Sequence, residues 1–152
     1  RKNLVDALVA LVAQTGGKSY SDETRSAAAY LLGEMRAVEA VPALSRALAK
    51  PLGAIYGSDI SRYDAPIFTA LVMIGRPAVP AMIKNLEETD NANIRHNSMF
   101  VLNHVLGGKQ HLLELLGKLK ARTKDKAVAK RIEKATRHVQ EHFTEPGGGP
   151  LY

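Results

Sequence analysis

The chain of 152 residues contains no cysteine and no tryptophan, and aromatic residues make up only 5% of it. Without thiols there can be no disulfide, no thiolate metal site and no cysteine nucleophile. Scarce aromatics leave packing to Ala and Leu, which suits closely spaced helices better than sheets. No apolar run approaches the roughly 20 residues that span a bilayer, so no membrane partner is expected. The opening RKNLVDALVALVA has the basic start and apolar stretch of a secretory signal, but Asp6 interrupts it and its spacing is helical. With the pattern already under way at Leu4, the chain reads as part of a longer protein, and a cysteine-free composition suits the cytoplasm.

What is present is a soluble, globular composition, 45% hydrophobic and 24% charged, enough for one domain with a continuous core. The net charge of +6 is uneven: residues 1 to 117 hold 12 basic and 11 acidic side chains, whereas residues 118 to 152 hold 9 and 4. The excess belongs to one end.

The segment AVPALSRAL at residues 40 to 48 returns as AVPAMIKNL at residues 78 to 86. Such self-similarity signals repeat architecture. An amphipathic stripe precedes each copy: Thr24, Ala28, Leu31, Leu32 and Met35, then Tyr63, Ile67, Ala70, Leu71 and Ile74. Ile94, Ser98, Val101, Leu102 and Val105 form a third stripe, and Val128, Ile132, Ala135 and Val139 a weaker fourth. The second helix of each pair carries Val41, Leu44 and Leu48, then Val79, Met82 and Leu86, then Leu112, Leu115 and Leu119. Leu4, Ala7 with Leu8, and Leu11 read as the same element preceding the first full unit.

Local punctuation agrees. Pro42 and Pro80 fall in first turns, where a missing N–H costs little. Gly75 can end one helix and Pro77 open the next. Ser21 or Asp22, Asp90 or Asn91, and a capping box from Ser61 to Asp64 supply N-caps, with Pro66 as the one awkward residue. The expected elements are a helix at 3–14, pairs at 22–35 with 38–50, 62–74 with 77–88, and 91–106 with 109–122, and a closing helix at 126–142. Residues 3–142 form one domain and 143–152, rich in Gly and Pro, a flexible tail. PLGAIYGSDIS, residues 51 to 61, is a longer connection that either tucks Ile55 and Tyr56 over the core or serves as a binding loop.

TRSAAAYLLGEMRAVEAVPALSRAL resembles a unit of the HEAT-like repeat family, including its phycobilisome-lyase type. The shared features are an Arg near the start of helix A, small residues and Leu-Gly in its middle, and Ala-Val-Pro-Ala-Leu opening helix B. APIFTALVMIGRPAVPAMIKNL follows the same pattern with Asp64 in place of the Arg25 equivalent, and IRHNSMFVLNHVLGG keeps Arg95. The resemblance implies an all-α, right-handed α-α superhelix of the HEAT-like or ARM solenoid type, with about three helix pairs plus flanking helices. It is specific for fold and nearly silent on activity.

Chemistry is harder to find. HVQEH, residues 138 to 142, fits His-x-x-Glu-His, but only Glu145 follows as a third ligand, so no metal site is assigned and two solvated histidines explain the string. His96, His104 and His111 lie on or beside the third pair. HEAT-like enzymes such as deoxyhypusine hydroxylase hold iron through His-Glu dipeptides, and this sequence has none. No catalytic residue and no cofactor is therefore assigned.

The leading expectation is a non-enzymatic scaffold that binds a protein partner through the concave face formed by its B helices. Arg46, Lys84 and Lys118 would form one ladder there, and Lys50, Glu88 and Arg122 another. The alternative is nucleic-acid binding through the basic C-terminal helices, by Lys124, Lys126, Lys130, Arg131, Lys134 and Arg137. A bilin-lyase-like or glycosylase-like enzyme is the remaining alternative.

Overall fold

The structure is a computed structural model that describes residues 1–50 and 65–143. Among them it contains α-helices and short 3-10 turns and no strand. The helices are α1 (Lys2–Ala13), α2 (Asp22–Glu34), α3 (Val41–Ala47), α4 (Pro66–Ile74), α5 (Val79–Glu88), α6 (Ala92–Leu106), α7 (Lys109–Arg122) and α8 (Lys126–His142). Turns at Val38–Ala40 and Arg76–Ala78 lead into α3 and α5, so each AVPA phrase marks a helix entrance. The expected tail, the capping box from Ser61 to Asp64, Tyr63, Ile55, Tyr56 and Glu145 lie outside the described residues.

The helix ends follow from their residues. Ser21 Oγ accepts from the Thr24 N–H at 3.2 Å, Asn91 Oδ1 from Ile94 at 3.1 Å, and Asp125 Oδ1 from Ala127 at 2.8 Å. Gly107 closes α6 at φ 87°, in the left-handed region that glycine enters without penalty. Pro66 stands at the start of α4 rather than inside it, which removes its apparent conflict with the helix.

The stack is held by one continuous apolar cluster that runs from Val5 in α1 to Phe143 after α8. Its tightest contact is α2 on α4. A Cβ built on Gly33 would lie 2.9 Å from the Ala70 Cα, so glycine is what lets the two backbones approach. Beyond that pair, α1 packs on α2 and α3, α3 on α4 and α5, and α4 on α6. Each helix hides one face against its neighbours along the line, as expected of a repeat stack.

Three stripes are rotated relative to expectation. In α1 the buried residues are Val5, Leu8 and Val12, while Leu4 is 53% exposed. In α2, Ala28, Ala29, Leu32 and Gly33 are buried, and Leu31 and Thr24 are exposed. In α7, Leu116 is buried and Leu115 only partly so. Each of these helices carries adjacent apolar residues, so two neighbouring stripes satisfy the same helical period.

Polar side chains of one helix close the ends of another, answering the need of terminal carbonyls for donors. Arg25 of α2 donates through Nε and Nη2 to the Val12 carbonyl of α1, at 3.3 and 3.2 Å. Asn97 of α6 donates to the Leu48 carbonyl behind α3 at 2.8 Å. Arg95 of α6 reaches the Thr89 carbonyl at 2.8 Å, and Arg131 of α8 reaches Glu87 at 3.0 Å. Lys109 of α7 donates to the Gln140 carbonyl near the end of α8 at 2.9 Å. The Arg near the start of helix A is thus a clamp on the preceding helix.

Candidate functional site

The last pair does not simply extend the line. α6, α7 and α8 pack in sequence, and α8 also lies against α5. α7 reaches α5 through Arg122, whose Nη2 donates to Glu87 Oε1 at 2.9 Å. Glu88 instead pairs with Lys84 inside α5 at 3.9 Å. Of the two ladders expected on the B helices, these three members are engaged in ion pairs.

Arg46, Lys50 and Lys118 are exposed and carry no ion pair among the described residues. Arg46 in the last turn of α3 and Lys50 just beyond its end line a recess of about 630 Å³ between α3, the end of α1 and the start of α2. Gln14, Ser19, Tyr20 and Asp22 complete its polar wall, and Ala43 and Ala47 its floor. Small floor residues and long cationic rim residues make a shallow concavity that would accept an acidic side chain.

On α8, Lys126, Lys130, Lys134 and Arg137 fall on one exposed stripe at i, i+4, i+8 and i+11, and none forms an ion pair among the described residues. Lys124, just before the helix, is exposed as well. Arg131 points elsewhere, with Nη2 on Asp90 Oδ1 at 2.9 Å. Lys120 of α7 meets Glu133 at 2.7 Å and holds that carboxyl below its ordinary range.

The histidines are not simply solvated. His96 of α6 and His138 of α8 meet with ring centroids 5.2 Å apart, His138 and His142 lie at 4.8 Å, and Phe100 stacks on Phe143 at 4.6 Å. Burial, reinforced by the neighbouring His138, lowers the proton affinity of His96. Burial and then His142 do the same for His138, against a smaller opposing pull from Glu141. The sequence held a signal for this cluster in the i, i+4 pairs His96/Phe100 and His138/His142, but not that α6 and α8 would bring them together. His104 is a packing residue: its ring meets Phe68 edge-on at 5.0 Å, and Nδ1 lies 3.0 Å from the Phe100 carbonyl. His111 is an exposed neighbour of Glu114. Among the described residues no group of three or more His, Asp or Glu side chains is arranged to hold a metal ion. Nor is any single helix there long and apolar enough to cross a membrane.

The architecture defines a helical repeat protein. Within that class, residues 24–50, which cover most of α2 and all of α3, match the family described as PBS lyase HEAT-like repeat, and this match supports a HEAT-like repeat for that helix pair. No curated protein and no solved structure matches the chain.

Proposed function

We propose that this helical repeat module is a non-enzymatic scaffold that binds an acidic segment of a protein partner along its B-helix face, anchored at Arg46 and Lys50. The observation that carries this reading is the recess between α1 and α3, rimmed by two exposed cations that form no ion pair among the described residues, while the one acid in its lining, Asp22, lies 3.7 Å from Arg25. The extended surface of a repeat stack suits a peptide segment better than an enclosed small-molecule site would. Lys84 and Glu88 pair with each other and Arg122 pairs with Glu87, so these charges are already partnered.

Amide shifts followed during titration with an Asp/Glu-rich helical peptide test the proposal. Perturbations centred on α3, abolished by Arg46→Glu with Lys50→Glu, are expected. Perturbations spread over unrelated helices, or unaffected by the double reversal, would count against it.

A second reading has its own observation. The exposed stripe of Lys126, Lys130, Lys134 and Arg137 on α8, in which Lys126, Lys130 and Lys134 have no carboxylate partner among the described residues, offers cations to a phosphate backbone. Each neutralised phosphate would add about 0.9 to the slope of log affinity against log salt for duplex DNA, and about 0.7 for single strands. Titration with generic DNA and RNA at several salt concentrations separates the readings: a steep salt slope with shifts confined to α8 would favour nucleic acid.

A further inference from the structure

A second concavity, of about 360 Å³, lies where α5, α6, α7 and α8 meet. Its floor is apolar: Leu86, Met99, Leu116, Ile132 and Ala135, contributed by four different helices. Its rim is cationic, with Arg95 on one side and Arg131 and Lys134 on the other. No aspartate or glutamate is among its lining residues. Arg131 is partly answered by Asp90 from outside the cavity, but Arg95 and Lys134 have no carboxylate partner among the described residues.

The rim is also prepared in advance. Arg95 donates to the Thr89 carbonyl and Arg131 to the Glu87 backbone carbonyl, so little side-chain freedom is lost when an anion arrives. His96 and His138 complete the wall beside them as imidazoles whose burial favours the neutral form, offering hydrogen bonds to an oxyanion. A small concave site with an apolar floor and a few convergent polar groups is the usual form of a small-molecule pocket, whose volumes begin at about 300 Å³.

We propose that this cavity binds a free single-chain aliphatic carboxylate, its alkyl chain on the Leu86–Met99–Leu116–Ile132 floor and its carboxylate between Arg95 and Lys134. Neither half of the site explains the ligand alone. The floor selects an apolar body, and the acid-free cationic rim selects its charge. The site is separate from the recess at Arg46 and Lys50, and it stands or falls independently of partner binding there.

Calorimetric titration with decanoate, decanol and decyltrimethylammonium, each below its micellar concentration, tests both halves. Decanoate is expected to bind one to one, decanol at least about tenfold more weakly, the loss of one charge-assisted hydrogen bond, and the cation not at all. Lys134→Glu is expected to weaken decanoate at least about fivefold and leave decanol unchanged. Ala135→Trp should fill the cavity and abolish decanoate binding. Should that variant fail to fold, the exposed Lys134→Glu decides. Absence of decanoate binding, equal binding of decanoate and decanol, or an unaltered Lys134→Glu affinity would each overturn the proposal.

Discussion

Two helical glycines should respond to the same substitution with opposite sign. Gly117 lies inside α7 and Gly33 in the last turn of α2, so in an isolated helix Gly→Ala stabilises by about 0.8–1 kcal/mol at Gly117 and by no more than that at Gly33. At Gly117 a new Cβ would meet nothing within 4 Å, so the gain should be realised. At Gly33 the Cβ would lie 2.9 Å from the Ala70 Cα, 3.2 Å from Met73 Sδ and 3.3 Å from the Ala70 Cβ. The methionine end can swing aside, but the Ala70 backbone cannot move without shifting α4 on α2. Over-packing of this kind costs about 1–3 kcal/mol, which exceeds the propensity gain. The expected net effect of Gly33→Ala is a loss of about 1 kcal/mol, and Gly33→Val should lose more, having a larger and β-branched side chain. In urea unfolding, with slopes of about 1–3 kcal/mol/M, the Gly33→Ala midpoint should fall by roughly 0.3–1 M and the Gly117→Ala midpoint should rise. Midpoints that move in the same direction, or an unchanged slope with a stabilised Gly33→Ala, would refute close α2–α4 packing.

Other perturbations probe the links between helices and the histidine cluster. Arg25→Ala removes the donors to the Val12 carbonyl and should cost about 1.5–3 kcal/mol, measured by urea unfolding, with Arg25→Lys recovering only part. Asn97→Ala leaves the Leu48 carbonyl without its donor and should cost about 1–3 kcal/mol, with faster hydrogen exchange at the end of α3. His96 and His138 bind protons more weakly folded than unfolded, so the unfolded chain takes up more protons on acidification. Stability should therefore be complete above the ordinary histidine value of 6.5 and decline as pH falls through the lowered values. Urea midpoints at pH 7.5 and 5.5 check this sign, and His96→Phe with His138→Phe should flatten the difference.

The helix pairs were legible because their boundaries are written in strong local chemistry. Pro42 and Pro80 stand in first turns, Gly75 and Gly107 stand at ends, and Ser21 and Asn91 cap, whereas Pro66 read as a conflict inside a helix from 62. Which stripe faces inward was less legible wherever apolar residues adjoin. Leu4 and Val5 compete in α1, Leu31 and Leu32 in α2, and Leu115 and Leu116 in α7, and only tertiary packing decides between them.

Long-range assembly was least legible. Arg25 and Arg95 stood out as pattern residues, yet their task as clamps depends on carbonyls at Val12 and Thr89. The cavity among α5 to α8 joins side chains from Leu86 to His138, and it exists because α8 lies against α5. Periodicity within one helix carries no information about that crossing. The cationic residues of the α1–α3 recess were visible as Arg46 and Lys50, but not the concavity that the end of α1 and Tyr20 build beside them.

The most direct test of the scaffold reading is selection of ligands from a displayed random-peptide library on the intact chain, with Arg46→Glu, Lys50→Glu as the counter-target. Recovered peptides are expected to be rich in Asp and Glu, to bind the wild-type chain and to fail on the double variant. Peptides without acidic enrichment, or with equal affinity for both proteins, would contradict it.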